Sequence, residues 1–436
     1  MKKAIYYLSF LIVTSFWACK EDNSVELEKI SLPTATDINA FGAKLTATIN
    51  GYSVSDISRG EYGFLLTDKA DDAVFLAWTE GQTEGVTVIK GTNVDSSGNI
   101  TATITSALPN SNIWFCAFMI TRDGEHLVGK GASFTTTPFN PSLSLQPVET
   151  GIPGFYSCSL NATTSLDETS ASQCTYGVVF SKESMSQANS TNSVISGNLK
   201  PDGSYTAVIS GLDVETMYYC RAYICVKKTN EYYYSNEVSF STKSPSEMAV
   251  DMGLSVMWAN CNLGAEDYTM PGDCYKWGVT VPSTNCDLNK YPYYDQATQS
   301  YTNIGTCISG TEYDAATARL GGKWRMPTTE EVAELHENVK STMVDNTYIK
   351  LTSTKNGKSI YLKYMVPLFR PNSSSSNGTF DAKFWMGDIE DENSGKIPYW
   401  SLGYTYFNCG TKYNSPDNYQ THRESAMIIR PVCDYE

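Results

Sequence analysis

One series of sequence blocks occurs twice between residues 29 and 244, and this repeat limits the fold more than any other feature. "LTATIN" (45–50) corresponds to "YSCSLN" (156–161), and "EYGFLLT" (61–67) corresponds to "TYGVVFS" (175–181). "TATITSAL", "IWFCAF" and "SFTTTP" then correspond, in the same order, to "YTAVISGL", "MYYCRA" and "SFSTKS". Each block alternates polar and apolar residues between turn-forming residues, which is typical of strands in an antiparallel sandwich. The repeat predicts two tandem all-β sandwiches, at 29–138 and 139–244, with no helix beyond a turn and with Tyr62 and Tyr176 at equivalent positions.

The composition excludes some classes of function. The 436 residues include 32 Lys and Arg against 47 Asp and Glu, which gives a net charge of −15. This charge repels phosphate backbones, so we expect no binding of nucleic acid. Aromatic residues make up 12% of the chain, too many for a disordered protein. We therefore expect a folded, β-rich protein of several domains.

The first 19 residues have the features of a secretory signal. Two lysines precede an apolar stretch (4–13) that is too short to span a membrane. Ala18 and Cys19 then resemble the lipobox of bacterial lipoproteins, and Lys20, Glu21 and Asp22 resemble the surface-export signal of Bacteroidetes lipoproteins. This resemblance implies lipidation of Cys19, a tether at 20–28, and an outer-membrane anchor facing the cell exterior. The alternative is an ordinary signal that is cleaved to release a secreted protein.

The cysteine count leaves the disulfide pattern open. Without Cys19, eleven of the twelve cysteines remain, so at least one thiol is free. Cys158 and Cys220 are separated by about the spacing that bridges the two sheets of an immunoglobulin-like sandwich, and they are a candidate pair. A further even set in the last third of the chain predicts up to three disulfides of unknown connectivity: Cys261, Cys274, Cys286, Cys307, Cys409 and Cys433.

The last region, residues 245–436, has a different pattern. Asp314 and Gly321 are placed to cap one short helix, and Thr328 and Glu331 have the spacing of a capping box for a second helix. Other segments, such as "IYLKYMVPLF" and "YWSLGYTYF", have the composition of strands. The region is therefore predicted to be α+β.

Two family resemblances follow from these motifs. The repeat blocks, with "RAY" at 221–223 and the closing "SFST", resemble fibronectin type III-like modules. "DMGLSVMWANCNLGA" (251–265), "YKWG", "DAATARLGGKWRMPTTEEVAEL" (314–335), "FWMG" and "IIRPV" resemble the Fibrobacter succinogenes major paralogous domain. That resemblance implies a C-type-lectin-like or formylglycine-generating-enzyme-like fold for residues 245–436.

Candidate binding residues lie in or beside the variable-looking loops of this last region. Trp385, Trp400 and Tyr404 are predicted to form an aromatic platform for a glycan or a protein loop. The adjoining acidic segment supplies oxygen ligands of the kind that calcium prefers, although no cofactor is required by the sequence: Asp388, Glu390, Asp391, Glu392 and Asn393. A solvated acidic loop and two core tryptophans are the competing interpretation.

No catalytic motif is recognisable, so we expect a non-enzymatic protein. The favoured function is a cell-surface lipoprotein that presents a lectin-like binding domain on a two-sandwich stalk, for adhesion to a glycan or to a host or neighbouring-cell surface protein. One alternative is a passive structural or assembly subunit of a surface structure. The other is a formylglycine-generating-enzyme-like enzyme that uses Cys409 and Cys433.

Overall fold

The computed structural model describes residues 29–149, 151–185, 193–195, 198–363, 365–366, 380–389, 396–402, 407–409 and 420–435. The protein is mostly β, with several separate antiparallel sheets, as the sequence predicted. The chain divides into two compact units, Met1–Asn140 and Pro141–Glu436. None of the helices in the described ranges is long and apolar enough to cross a membrane.

The first repeat folds as two antiparallel sheets around one core. Its strands are β1 (Thr34–Thr36), β2 (Ala43–Thr48), β3 (Glu61–Thr67), β4 (Thr87–Lys90), β5 (Asn93–Val94), β6 (Asn99–Ile104), β7 (Asn112–Ile120), β8 (His126–Val128) and β9 (Ala132–Thr135). One sheet has the order β1-β2-β6-β5, and the other has β4-β3-β7-β8 with β9 also on β7. Leu45 and Ile100 from the first sheet pack with Phe64 and Phe115 from the second.

Short helices connect strands in both repeats, so the prediction of no helix beyond a turn is wrong. They are α1 (Val54–Arg59), α2 (Ala73–Thr79) and α3 (Glu168–Gln173). Ser53 and Asp56 form a capping box at the start of α1, and α2 buries Phe75 and Trp78. The burial of Phe75 and Trp78 stabilises α2, which is too short to be stable on its own.

The second repeat has the same two-sheet arrangement. Its strands are β10 (Leu143–Leu145), β11 (Ser157–Thr164), β12 (Cys174–Ser181), β13 (Ser193–Ile195), β14 (Ser204–Ser210), β15 (Met217–Val226) and β16 (Glu231–Ser241). The sheet orders are β10-β11-β14 and β13-β12-β15-β16, and the Tyr205 hydroxyl donates to the Gly177 carbonyl of the facing sheet at 3.1 Å. Tyr62 on β3 and Tyr176 on β12 lie on topologically equivalent strands, as predicted, since β3 pairs with β7 and β12 pairs with β15.

The last region combines short sheets with two α-helices. Its elements are β17 (Ala249–Val250), β18 (Met257–Ala259), β19 (Tyr294–Asp295), β20 (Ser300–Tyr301), α4 (Ala315–Leu320), β21 (Trp324–Arg325), α5 (Thr329–Glu337), β22 (Val339–Val344), β23 (Tyr348–Ser353), β24 (Ser359–Lys363), β25 (Met365–Val366), β26 (Phe380–Trp385), β27 (Lys396–Leu402), β28 (Phe407–Cys409), β29 (Gln420–His422) and β30 (Val432–Cys433). Single 3₁₀ turns lie at Pro245–Met248 and Leu288–Lys290. The predicted caps are confirmed: Asp314 accepts from the amides of α4, and Thr328 and Glu331 form a capping box on α5.

The second repeat and the last region share a core. Phe155 and Tyr156, which directly precede β11, are buried with Leu263 and Trp277 of the last region. The Glu266 carboxylate accepts hydrogen bonds from the backbone amides of Phe155 and Tyr156, at 2.5 and 2.9 Å. Polar and apolar contacts together therefore join the second repeat to the region that follows it.

No disulfide joins the cysteines whose side chains the structure describes. Cys158 and Cys220 are both buried in the second repeat, and they are not bonded to each other. Five of the six cysteines of the last region likewise form no disulfide; the Cys409 side chain lies outside the described residues. The candidate Cys158–Cys220 pair is therefore absent from the structure, and Cys158, Cys174 and Cys220 act as small apolar core residues.

Candidate functional site

The two tryptophans of the predicted platform are core residues. Trp385 and Trp400 lie on the adjacent strands β26 and β27, and both side chains are 0% exposed. The Trp385 indole N–H donates to the Tyr275 carbonyl at 2.7 Å, and the Trp400 ring stacks on Phe384 with centroids 4.1 Å apart. A buried ring has no free face for a sugar, so the platform prediction is wrong for both residues. Phe384 and Met386 flank Trp385, and Tyr399 and Ser401 flank Trp400, a sequence context that fits a buried strand and an exposed cluster equally well.

The Asp388 carboxylate is hydrogen-bonded to the first residue of helix α5. Its Oδ1 atom accepts from the backbone amide of Thr329 at 2.7 Å and from the Thr329 hydroxyl at 3.0 Å, at the N-terminus of α5. Burial raises the pKa of the Asp388 carboxyl above its usual value. Within the described residues, no three His, Cys, Asp or Glu side chains are grouped to hold a metal ion. The remaining predicted site residues lie outside the described part of the chain: Cys19, Glu390, Asp391, Glu392, Asn393 and Tyr404.

A basic surface in this acidic protein is the strongest candidate for a binding site. Residues 339–363, which form β22, β23 and β24, contain five lysines and a single acidic residue, Asp345. Lys358 lies 3.9 Å from Asp251. Lys340, Lys350 and Lys363 have no carboxylate within ion-pair distance among the residues that the structure describes. The three-stranded sheet therefore has a local positive charge that the net charge of −15 does not suggest.

Strand register places lysines and tyrosines side by side on one face. Tyr348 lies opposite Lys363, and Lys350 lies opposite Tyr361, on β23 and β24. All four side chains are half-buried, whereas the intervening residues of both strands are fully buried. The Lys350 ammonium is 5.7 Å from the centroid of the Tyr361 ring, within the range of a cation–π interaction. We call this surface, together with Tyr268, the Tyr–Lys face.

Tyr268 completes the face from a separate loop. Its ring is 4.9 Å from Tyr361 and 5.3 Å from Tyr348, measured between centroids. The interplanar angle is 31° with Tyr361 and 82° with Tyr348, so the three rings form a corner. Tyr268 remains 39% exposed, and its neighbour Met270 is 47% exposed. An exposed aromatic corner beside ammonium groups that form no ion pair with the described residues offers both stacking and charge to a ligand.

Buried contacts hold the sheet under the Tyr–Lys face. Ile349 and Leu362, on its inner side, pack in a core that also contains Trp258 and Trp400. The fully buried Arg430 donates to the Tyr361 carbonyl at 2.9 Å and to the Ala259 carbonyl at 3.0 Å. Burial lowers the pKa of Arg430 to about 10, so the group remains a cation at neutral pH. Trp400, which the sequence predicted to bind ligand, thus supports this surface from the core instead.

The loop that carries Tyr268 is fixed at two points. The Asp267 carboxylate accepts from the Thr269 amide at 2.7 Å, which closes a tight turn around Tyr268. Glu266, one residue earlier, accepts hydrogen bonds from the backbone amides of Phe155 and Tyr156 in the second repeat. The position of Tyr268 therefore depends on the contact between the second repeat and the last region.

Sequence reasoning missed this face for two reasons. The alternation of Tyr and Lys in "YIKLTS" and "SIYLK", with a local excess of lysine, was a readable signal that the net charge concealed. Tyr268 gave no signal, because it is about 80 residues away from Tyr348 in sequence and joins it only in the folded protein. No protein-family model matches this chain, and no curated protein is significantly similar to it. The family resemblances noted above therefore stay predictions.

Proposed function

We propose that this chain is a cell-surface lipoprotein that binds acidic saccharides through the Tyr–Lys face of its last region. In this proposal Cys19 carries the lipid anchor in the outer membrane, and the two repeats are fibronectin type III-like modules. The last region is a C-type-lectin-like domain of the Fibrobacter succinogenes major paralogous type. The role is binding, not catalysis, because the Tyr–Lys face is an open sheet surface.

The observation that carries this proposal is the exposed tyrosine corner beside lysines that form no ion pair with the residues the structure describes. The flat face of a sugar ring stacks on an aromatic ring, and the tyrosine hydroxyls exchange hydrogen bonds with sugar hydroxyls. An ammonium group is a compact charge that pairs with a carboxylate or a sulfate. A saccharide that carries uronate or sulfate groups can both stack on the tyrosines and pair with the lysines. A neutral saccharide can only stack.

The test is a calorimetric titration of the full chain with uronate-containing and sulfated oligosaccharides. We expect Lys350→Glu to weaken binding at least tenfold, because it replaces an attraction with a repulsion at the centre of the face. Tyr268→Ala removes the exposed ring and should also weaken binding about tenfold. Raising the sodium chloride concentration from 50 to 500 mM should weaken binding by the wild-type chain, since salt screens exposed charges.

Matched controls come from the repeats. Lys44, an exposed lysine on β2, and Tyr232, which is 50% exposed on β16, lie outside the last region. Lys44→Glu and Tyr232→Ala should leave the affinity unchanged. Equal binding of neutral and acidic saccharides, or equal losses in Lys350→Glu and Lys44→Glu, would contradict the proposal. We also expect binding that does not change when calcium is removed with a chelator, because no acidic side chain belongs to the Tyr–Lys face.

A further inference from the structure

Three lysines of the sheet formed by β22, β23 and β24 lie on one diagonal of its outer face. Lys340 on β22 is opposite Thr352, which lies two residues after Lys350 on β23. Lys363 on β24 is opposite Tyr348, which lies two residues before Lys350. From each lysine to the next, the diagonal therefore crosses one strand and moves two residues in the same direction along β23.

The three lysine side chains share one side of the sheet. Residues opposite each other in an antiparallel pair, and residues two apart on one strand, point to the same face. The hydroxyls of Thr352 on β23 and Ser359 on β24 lie 3.0 Å apart on that side, while the alternate residues of both strands are buried in the core. Lys340 is exposed, and the other two lysines are half-buried.

Sheet geometry sets the spacing between these lysines. Neighbouring strands are about 4.8 Å apart and two residues of a strand span about 6.7 Å, so neighbouring lysines on the diagonal are about 8 Å apart at Cβ. Each ammonium group lies at the end of a flexible four-carbon stem, so the charges adjust to a ligand whose own spacing differs slightly. The outer face therefore carries a line of three cations at regular intervals.

The tyrosines of the Tyr–Lys face lie on either side of this line. Tyr361 is opposite Lys350 and Tyr348 is opposite Lys363, so the four residues form a square with the lysines on one diagonal and the tyrosines on the other. The ring of Tyr268 contacts both tyrosine rings, at 4.9 and 5.3 Å between centroids. Tyr268 therefore lies beside the part of the line between Lys350 and Lys363, where it offers an aromatic surface between two cations.

We propose that the Tyr–Lys face binds the interior of a linear acidic polysaccharide with one anionic group per disaccharide, along the diagonal of Lys340, Lys350 and Lys363. This inference rests on the saccharide-binding function proposed above and names the kind of saccharide. One sugar ring with its glycosidic oxygen is shorter than the step between neighbouring lysines, and two rings are slightly longer. A charge on every second ring therefore matches the line of cations, and the neutral ring between two charges stacks on Tyr268.

Other polyanions are poorer occupants of this line. A nucleic acid strand has a phosphate on every nucleotide, so it carries more charge over this length than three lysines neutralise, and the net charge of −15 repels the excess. A peptide of acidic residues lacks the ring that stacks on Tyr268. Both classes are included as probes in the experiment.

The main probes are oligosaccharides of alternating uronate and N-acetylhexosamine, with one to four disaccharide units, titrated calorimetrically into the full chain. Each unit carries one carboxylate. We expect the affinity to rise about tenfold from one unit to three, because two exposed ion pairs are added, and to change less than twofold with the fourth. A galacturonate trimer has its three carboxylates on adjacent rings, so it does not reach all three lysines. It should bind about threefold more weakly than the three-unit ligand of equal charge.

Variants of single lysines test the line itself. Lys340→Gln removes its first cation, so the affinity for the three-unit ligand should fall about threefold, to that of the two-unit ligand. The two-unit ligand still reaches Lys350 and Lys363, and its affinity should change less than twofold. Lys363→Gln should give the same result from the other end of the line. The matched control is Lys355→Gln, which removes an equal charge from an exposed lysine between β23 and β24, off the diagonal, and should leave both affinities unchanged.

Several outcomes separate this inference from the function on which it rests. Equal affinities for one unit and three units would overturn the diagonal and leave saccharide binding intact. Equal losses in Lys340→Gln and Lys355→Gln would also overturn it, since total charge alone would then matter. Tighter binding of a thymidylate hexamer or a glutamate hexapeptide than of the three-unit ligand would overturn the choice of polymer. Absence of binding by every saccharide would contradict the proposed function itself.

Discussion

The two repeats have the same five blocks and the same pair of sheets, yet they are joined to the rest of the protein differently. In the first repeat, β1 runs along β2, and the core is built from the residues of that repeat alone. In the second, β10 pairs with β11 only at residues 162–164, and Phe155 and Tyr156 extend into the core of the last region. The block pattern determines the strands, and a few residues in or beside the blocks determine what each sandwich packs against.

One pair of equivalent residues shows this difference. The block correspondence places Leu45 of the first repeat at the position of Tyr156 of the second. Leu45 is 0% exposed and packs between the two sheets of its own repeat. Tyr156 is 5% exposed and packs with residues of the last region, where the Arg319 guanidinium lies 5.5 Å from the centroid of its ring. The larger side chain, Tyr156, thus contributes to an interface with the last region, whereas Leu45 packs within its own repeat.

The largest effect that we expect comes from a buried tryptophan of the last region. Trp400→Ala should lower the free energy of unfolding by about 3–5 kcal/mol, because it leaves a cavity in a packed core. If the second repeat and the last region unfold together, residues 141–244 should be destabilised as well, while residues 29–140 keep their stability. Urea denaturation followed by limited proteolysis of the intact chain measures both. Loss of protection confined to the last region would show that the second repeat does not unfold with it, which would contradict this prediction.

A smaller effect is expected from the hydrogen-bonded contact that joins the second repeat to the last region. Glu266→Gln replaces a charged acceptor of two backbone amides with a neutral one, and we expect a loss of about 1–3 kcal/mol. The same variant should weaken saccharide binding, because Glu266 fixes the loop of Tyr268. Glu125→Gln is the matched control, since Glu125 forms an exposed ion pair with Lys29 in the first repeat. Unchanged stability of Glu266→Gln would show that apolar contacts alone join the two parts.

The smallest expected difference is in the response to pH. Burial raises the pKa of three carboxyls in the second unit, Asp273, Asp314 and Asp388. Such a group binds a proton more tightly when folded, so its contribution makes the free energy of unfolding fall as pH rises above about 4. Hydrogen bonds from Ser53 and Asn99 lower the pKa of Asp56 and Asp95 in the first unit, and a hydrogen bond from Tyr435 lowers that of Asp251 in the second. Their contribution is complete above about pH 4 and is lost only below it.

Denaturation at pH 6, 5 and 4.5 tests this difference in sign. We expect these carboxyls to make the second unit more stable, relative to the first, as the pH falls through this range. Asp314→Asn should reduce the slope for the second unit, because it removes one of the three titrating groups. A second unit whose stability relative to the first rises with pH between 4.5 and 6 would contradict the assignment.

The parts of the fold that depend on local signals could be predicted from the sequence. The strands of the repeats follow from alternation, and α4 and α5 follow from the caps at Asp314, Thr328 and Glu331. The short helix α2 could not be predicted, because it is stabilised by the burial of Phe75 and Trp78 against strands distant in sequence.

The candidate site was harder to predict, because burial decides which aromatic residues are available. Trp385 and Trp400 are of a residue type that often forms a binding platform. Only the burial of their side chains on the paired strands β26 and β27 shows that they are core residues. Tyr268 has an unremarkable sequence context, and only the folded chain brings it to Tyr361. Chain-wide charge also concealed the local excess of lysine on β22, β23 and β24.

The most direct test of the difference between the repeats is hydrogen exchange, resolved by mass spectrometry, on the intact Leu45→Ala and Tyr156→Ala variants. Each substitution removes a buried side chain at the same position of the repeat, and each should cost several kcal/mol. We predict that Leu45→Ala increases exchange within residues 29–140 alone, whereas Tyr156→Ala increases it in β11 and in the core strands of the last region to the same extent. Increased exchange confined to residues 141–244 in Tyr156→Ala would contradict the claim that the second repeat and the last region form one cooperative unit.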